Sequence, residues 1–275
     1  MNDKRIQWIY SFIDTFISIV RVVVFSRLKK TPQIQKKHDK CILFGNGPSL
    51  ISTMQKYENT ISDYDIIAVN QMAVSDLFEK YRPNTYVIVD PDYWKDVNCD
   101  DTYQLIKALV EKTTWSLQFY MPYEANIPAI TKKLRANPNI EIAFYNKTTF
   151  SGIKKIAYII YNRQWGMVRP QNVLNAALML LIYSKYQMIL LAGADTNWMK
   201  DIWVDECNKV RIHDSHFYQE DNDNDRIFPF DMTELCIAFY HVFNNYSVIE
   251  EYSKHKKVKI YNLFPRSFID AFEKI

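Results

Sequence analysis

Five short apolar runs in this chain end on side chains able to bind or react. Asn46 lies just past residues 41–44, and Asn70 closes 65–71 with Gln71 beside it. Asp90 closes 85–90, Asp195 follows 187–192 within Gly193-Ala194-Asp195, and Ser267 follows 258–262. Taken singly, each is an ordinary turn-forming or capping residue. If the runs are parallel strands, all five residues stand on one rim, and parallel sheets bind ligands outside their carboxyl ends. Amides, carboxylates and a hydroxyl collected there suit a nucleotide's phosphate, ribose and base.

The sharpest motif is Phe44-Gly45-Asn46-Gly47-Pro48-Ser49-Leu50. It reads as a buried strand, a glycine turn and the opening of a helix that Ser49 is placed to cap. Gly45 and Gly47 let the backbone adopt unusual torsions and approach a ligand closely. The free N–H groups and dipole of the new helix favour a phosphate. Leu50 stands where a dinucleotide fingerprint needs its third glycine, so an NAD site is disfavoured, and a Walker A pattern is absent. Asp90-Pro91-Asp92 offers two carboxylates spaced to hold Mg²⁺ or Mn²⁺ against a diphosphate, or else a turn nucleated by Pro91.

A second concentration of chemistry lies in 196–232, long, polar and aromatic, as active-site lids are. It carries Asp205, Glu206, Arg211, His213, His216 and Tyr218. Neither histidine sits on an apolar face, and a histidine near the rim can act as a general base close to neutral pH. Metal ligation by His213 and His216 is the alternative, although no HExxH-type spacing supports it.

The elements positioning these residues follow from composition and periodicity. At 275 residues with 48% hydrophobic content the chain can bury one large α/β core. It has only five glycines, two of them in the opening motif, which gives that motif weight. A net charge of +3 argues against general nucleic-acid binding. Cys41, Cys99, Cys207 and Cys236 are too scattered for a zinc site or a disulfide framework and suit a reducing compartment. Strands over 41–44, 65–71, 85–90, 116–121, 140–145, 187–192 and 258–262 alternate with helices over 105–112, 171–186, 233–246 and 247–255. The pattern predicts an α/β, Rossmann-like, mostly parallel doubly wound sheet spanning 40–275.

Residues 5–28 differ in character. Gln7, Ser11, Asp14, Ser18 and Arg21 recur at helical spacing as a narrow polar stripe beside a broad apolar face. Arg27, Lys29, Lys30, Lys36, Lys37 and Lys40 follow. An apolar face trailed by basic residues suits a helix lying in the plane of an anionic cytoplasmic leaflet. No small-residue cleavage site follows the run, so a signal peptide is disfavoured. A spanning helix is long enough but would immerse Asp14 and Arg21, and docking on the chain's own core is the third option. Residues 1–39 therefore form a membrane-associating segment and basic linker, with Thr31-Pro32-Gln33 leading into the domain.

With these residues in view, the chain resembles the bacterial sialyltransferases of glycosyltransferase family 42 and related surface-polysaccharide proteins. It also resembles the hydroxymethylpterin diphosphokinase-like families sharing that Rossmann-type core. The resemblance rests on residues 44–50, on Val69-Asn70-Gln71, on 169–195 and on Asp214-Ser215-His216-Phe217, with Phe264-Pro265-Arg266-Ser267-Phe268 at the close. It implies a GT-A-like variant of the fold. It also implies inverting transfer, in lipopolysaccharide or similar assembly, from a CMP-linked acidic sugar such as sialic acid or Kdo.

Carried over by position, Asn46 and Ser49 would hold the nucleotide phosphate and ribose, with Gly45 and Gly47 shaping the loop. Asn70, with Gln71, would face the phosphate or donor sugar. Asn172 would lie in the substrate turn, and Gly193 and Asp195 would line the ribose and base pocket. His216 would be the general base. Asp90 stands where the family has an asparagine. Thr196, Asn197 and Trp198 stand where it has leaving-group tyrosines, so Tyr218 or Arg211 would take that role. Arg169 would bind a carboxylate on donor or acceptor.

The expectation is a cytoplasmic, membrane-surface glycosyltransferase with a nucleotide-sugar donor and a glycan acceptor, lipid-linked or membrane-presented. It requires no metal and no nucleic acid; a homo-oligomer is left open. The competing expectations are an ATP- and Mg²⁺-dependent pyrophosphokinase using Asp90 and Asp92, and a non-catalytic nucleotide-binding assembly protein.

Overall fold

A computed structural model describes residues 2–96, 99–213 and 225–275. Eight of its strands form one sheet: β1 (Lys40–Phe44), β2 (Asp65–Val69), β3 (Thr85–Val87), β4 (Leu117–Pro122), β5 (Ile140–Tyr145), β6 (Met188–Ala192), and then β10 (Lys259–Asn262) and β11 (Glu273–Lys274). The intervening β7 (Ile202–Val204), β8 (Val210–His213) and β9 (Asp225–Ile227) make a separate antiparallel sheet. The helices are α1 (Asn2–Phe25), α2 (Leu50–Tyr57), α3 (Leu77–Tyr81), α4 (Asp92–Lys95), α5 (Asp100–Lys112), α6 (Pro128–Leu134), α7 (Lys154–Arg163), α8 (Val173–Tyr183) and α9 (Met232–His255).

The large sheet runs in the order β11-β10-β6-β1-β2-β3-β4-β5, and every pairing in it is parallel. This is the expected doubly wound architecture. Two apolar layers arise from the period-two alternation of side chains on strands buried on both faces. Cys41 and Leu43 point into one layer with α8 and α9, while Ile42 and Phe44 point into the other with α2 and α5. From β1 the chain winds outward through β2 to β5, then returns to place β6 on the opposite side of β1. The strand order therefore reverses between β1 and β6.

Two expected helices over 233–246 and 247–255 are a single helix, α9. It opens on a capping box in which Asp231 accepts from the Glu234 N–H, and the Glu234 carboxylate accepts from the Asp231 N–H. The antiparallel sheet occupies part of the polar segment 196–232, where no strand was expected; its two-stranded core joins through a turn at Asp205, which accepts from the Cys207 and Lys209 N–H groups.

The stretch leading into β1 is a strap across the amino ends of the strands. The Thr31 N–H donates to Gln164 Oε1 (2.7 Å), the Tyr120 hydroxyl to the Pro32 carbonyl (2.9 Å), the Gln35 N–H to Gln118 Oε1 (2.7 Å) and the Lys37 N–H to the Asp65 carboxylate. Asp65 is itself buried and accepts from the Tyr186 hydroxyl at 2.7 Å. Tyr186→Phe would leave that buried carboxylate short of a donor. Urea unfolding should register a loss of about 1–3 kcal/mol; an unchanged midpoint would show that the bond contributes nothing.

Candidate functional site

At the reversal point the loops leaving β1 and β6 touch. The Gly45 N–H donates to the Ala192 carbonyl (2.7 Å) and the Gly47 N–H to the Gly193 carbonyl (2.9 Å). A Cβ on Gly45 would lie 2.4 Å from the Gly193 oxygen, and one on Gly47 would lie 2.0 Å from Asp195 Oδ2. Gly193 adopts φ +66°, and a Cβ there would meet the Gly45 oxygen at 2.6 Å. These glycines are needed because two backbones cross. This corrects the expectation that Gly45 and Gly47 supply unusual torsions: neither has positive φ, and their amides are engaged by the Ala192 and Gly193 carbonyls.

Ser49 is corrected as well. It stands at the N-cap of α2 but makes no side-chain cap there. Its buried hydroxyl donates to Asp195 Oδ2 at 2.7 Å. The anion drawn to this helix entry is thus the chain's own carboxylate, held by the Ser49 hydroxyl. Asp195 is 3% exposed, and burial pushes its carboxyl above the usual aspartate range while the Ser49 bonds pull the other way. Ser267 works from behind: its buried hydroxyl donates to the Ala194 carbonyl at 2.6 Å, holding the turn that carries Asp195.

In front of this crossing opens a cleft of about 740 Å³, the size of a small-molecule site. Of the expected site residues, Gly45, Asn46, Gly47, Asn70, Gln71, Asp90, Asn172, Gly193 and Asp195 all line it, and so does Asp92. Asn46 donates to the Val69 carbonyl at 3.4 Å, tying the first two loops together. Asn70 has φ +48°, and its carbonyl accepts from the buried Tyr86 hydroxyl, which also accepts from the Ala73 N–H (2.9 Å). That prop holds the Asn70 side chain at the cleft, where its buried Oδ1 has no hydrogen-bond partner among the described residues. A buried acceptor left over in a cleft suits a donor such as a sugar hydroxyl.

Asn172 is the N-cap of α8, accepting from the Asn175 N–H at 3.0 Å, and its Nδ2 donates to the Tyr246 hydroxyl at 2.9 Å. Tyr246 also reaches Thr196, and burial raises its hydroxyl to about 12. Asp90 Oδ1 accepts from the Asp92 N–H (3.1 Å), so the Asp90-Pro91-Asp92 turn forms with both carboxylates exposed at the cleft.

Other expected residues stand apart. Arg211 Nε is bound to Asp205 Oδ2 at 2.6 Å and is not part of the cleft wall. Arg169 is exposed beside Pro170, which lines the cleft, and its carbonyl accepts from Asn245 Nδ2 (2.7 Å). His213 pairs with Asp225 at 3.0 Å. His216 and Tyr218 lie outside the described residues. Among the described residues no group of three metal-binding side chains converges. The wall also includes Pro48, Tyr93, Asp101, Thr102, Gln171 and Phe230, which motif reading missed. They come from turns and helix starts whose place on the rim depends on the chain path; only Pro48, adjoining the glycine motif, carried a signal. Thr196, Asn197 and Trp198, singled out only as departures from a family pattern, also line it.

No family model and no curated protein matches this chain. Among solved structures it is similar to the MAf glycosyltransferase from Magnetospirillum magneticum AMB-1, with a TM-score of 0.54 at 11% identity, over 94% of this chain and 38% of that one. The fold is glycosyltransferase-like. At that identity the likeness concerns the fold alone and does not single out the sialyltransferases, and the chain spans 38% of that protein's length.

A carboxyl that binds its proton more readily folded than unfolded stabilises fully below its unfolded value, and that contribution fades as pH rises through the folded value. For Asp195, therefore, the unfolding free energy of the wild type relative to Asp195→Asn should rise as pH falls from neutral to about 4. A difference independent of pH would show that burial does not shift this group. Gly45→Ala places a Cβ against a carbonyl fixed in the crossing and should cost about 3 kcal/mol in the same assay.

Proposed function

We propose that the chain is an inverting glycosyltransferase whose cleft takes a nucleotide-activated sugar. The observation that carries this reading is the convergence of Asn46, Asn70, Asp90, Asn172 and Asp195 at the strand-order reversal of a parallel sheet. The fold likeness to a glycosyltransferase supports it. The motif resemblance favours a CMP-linked acidic sugar, sialic acid or Kdo, and a cell-surface glycan acceptor, lipid-linked or membrane-presented.

In this reading Asn46 and the 45–49 loop meet the nucleotide, Asn70 Oδ1 accepts from a donor hydroxyl, and the Asp195 turn lines the ribose. His216, outside the described residues, takes the proton from the acceptor hydroxyl while the nucleotide leaves from the opposite face of the sugar. The oxygen–carbon bond forms as the carbon–phosphate-oxygen bond breaks, which inverts the centre. Tyr218 is the remaining candidate for the leaving phosphate, since Arg211 is held by Asp205.

A second reading draws on the charge of the cleft. Asp90, Asp92, Asp101 and Asp195 line it, and among the described residues no lysine, arginine or histidine does. A diphosphate entering such a wall would need a divalent cation, for which Asp90 and Asp92 are the candidate carboxylates. That favours either a metal-assisted transfer or an ATP-dependent pyrophosphokinase.

Thermal unfolding with CMP, CDP, UDP, GDP and ATP, each with and without Mg²⁺, separates the readings. Stabilisation by CMP without metal is expected; a ligand at a hundredfold excess over its Kd adds about 2.7 kcal/mol. Stabilisation only by ATP or UDP with Mg²⁺ would replace the first reading by the second. His216→Ala should lower turnover by roughly 10²–10⁴-fold while nucleotide affinity holds, and undiminished transfer would remove it as the base. Asn70→Ala should weaken donor binding about tenfold, the effect of one lost buried hydrogen bond.

A further inference from the structure

The helix α1 is turned inside out for a water-soluble protein. The side bearing Ser11, Thr15, Ser18 and Val22 faces the domain. Thr15 Oγ1 accepts from the Ile153 N–H at 2.7 Å, and Ser18 Oγ accepts from the Ser151 N–H at 3.1 Å. Just past the helix, Arg27 and Asn146 exchange two hydrogen bonds of 2.7 Å. Thr15, Ser18 and Val22 are only 4%, 1% and 3% exposed.

The seat is built for this helix. A Cβ on Gly152 would lie 2.2 Å from Thr15 Oγ1 and 2.6 Å from the Ser11 carbonyl, and one on Gly166 would touch Val22. Gly152, at φ +107°, is therefore the glycine that lets α1 come close.

The opposite side is apolar and uncovered. Trp8, Phe12, Phe16, Ile19, Val20 and Val23 are 41% to 71% exposed. With 3.6 residues per turn, the apolar arc is roughly 200° wide and centred opposite the seat. Residues Ile6–Phe25 have mean hydropathy 1.7 with only 17% of the window buried. Exposed Arg27, Lys29 and Lys30 follow directly.

We propose that α1 is an in-plane anchor that lays this arc into the surface of an anionic bilayer while its Thr15 and Ser18 side stays bolted to the loop before α7. Three observations choose that occupant. The arc is far broader than the seam one partner helix covers. The adjoining cations complement anionic headgroups. The seat runs from Ser11 to Val22, so a spanning α1 would carry the 146–153 loop into hydrocarbon, where irregular backbone is not tolerated at the lipid face. Lying in-plane also leaves Asp14 and Arg21, exposed on the flank between seat and arc, at headgroup level. This inference does not depend on the chemistry of the cleft.

Sedimentation of the full chain with vesicles tests it. The protein should bind phosphatidylcholine vesicles containing phosphatidylglycerol more tightly than phosphatidylcholine alone. Lys29→Gln and Lys30→Gln, outside the helix, should each weaken the anionic binding about fivefold. The double variant Phe16→Glu, Val20→Glu should abolish it at unchanged melting temperature, because both side chains are exposed. Alkaline carbonate should release the wild type from membranes. Failure of the folded wild type to bind vesicles overturns the proposal. So does a dimer in light scattering that Phe16→Glu splits, which would assign the arc to a second copy. Retention after carbonate overturns the in-plane orientation.

Discussion

The structure depends on two backbones crossing at van der Waals distance between β1 and β6. Parallel strands need crossover connections, and where the winding reverses, the loops leaving adjacent strands diverge and leave a crevice. Here they first lock together. Gly45 and Gly47 donate to Ala192 and Gly193, and any side chain on these three glycines would strike a carbonyl or the Asp195 carboxylate. The lock places Asp195 against the start of α2, with Ser49 and Ser267 holding the turn on either side.

A glycine also seats the N-terminal helix. Gly152 brings α1 onto the domain, and the strap from Thr31 to Lys37 continues across the base of the sheet by bonds to Gln164, Gln118 and Asp65. The segment preceding β1 is thus held along its length by side chains of the domain. Helix, strap and sheet are joined by hydrogen bonds of partly or wholly buried groups, which cost most when left unmade.

The fold class was legible because strands buried on both faces read as apolar runs, and the runs at 41–44, 140–145 and 187–192 match β1, β5 and β6 within a residue. The rim residues were legible for the same reason, since each closes such a run. The single-turn helices α3 and α4 were not, because one turn carries no periodicity. The antiparallel sheet of β7 to β9 was hidden in a polar segment whose strands are only three and four residues long, too short for a period-two pattern to stand out. α9 was divided at 246–247, although its capping box at Asp231 and Glu234 stood in the sequence.

By itself the sequence determined the alternation of strand and helix, the polar strand ends and the two-faced character of residues 5–28, because each is a local pattern of side-chain polarity. Only the tertiary structure decided what the glycines are for. Their neighbours are carbonyls and carboxylates some 150 residues away along the chain, and no local pattern reports a contact at that separation. It also decided that Ser49 holds Asp195 instead of capping α2, that Arg211 is held by Asp205 away from the cleft, and that α1 meets the domain through Thr15, Ser18 and Val22 and leaves its broad apolar face uncovered. Periodicity shows that a helix has two faces; which face turns inward depends on the surface it meets, and here that surface is a loop whose N–H groups need acceptors.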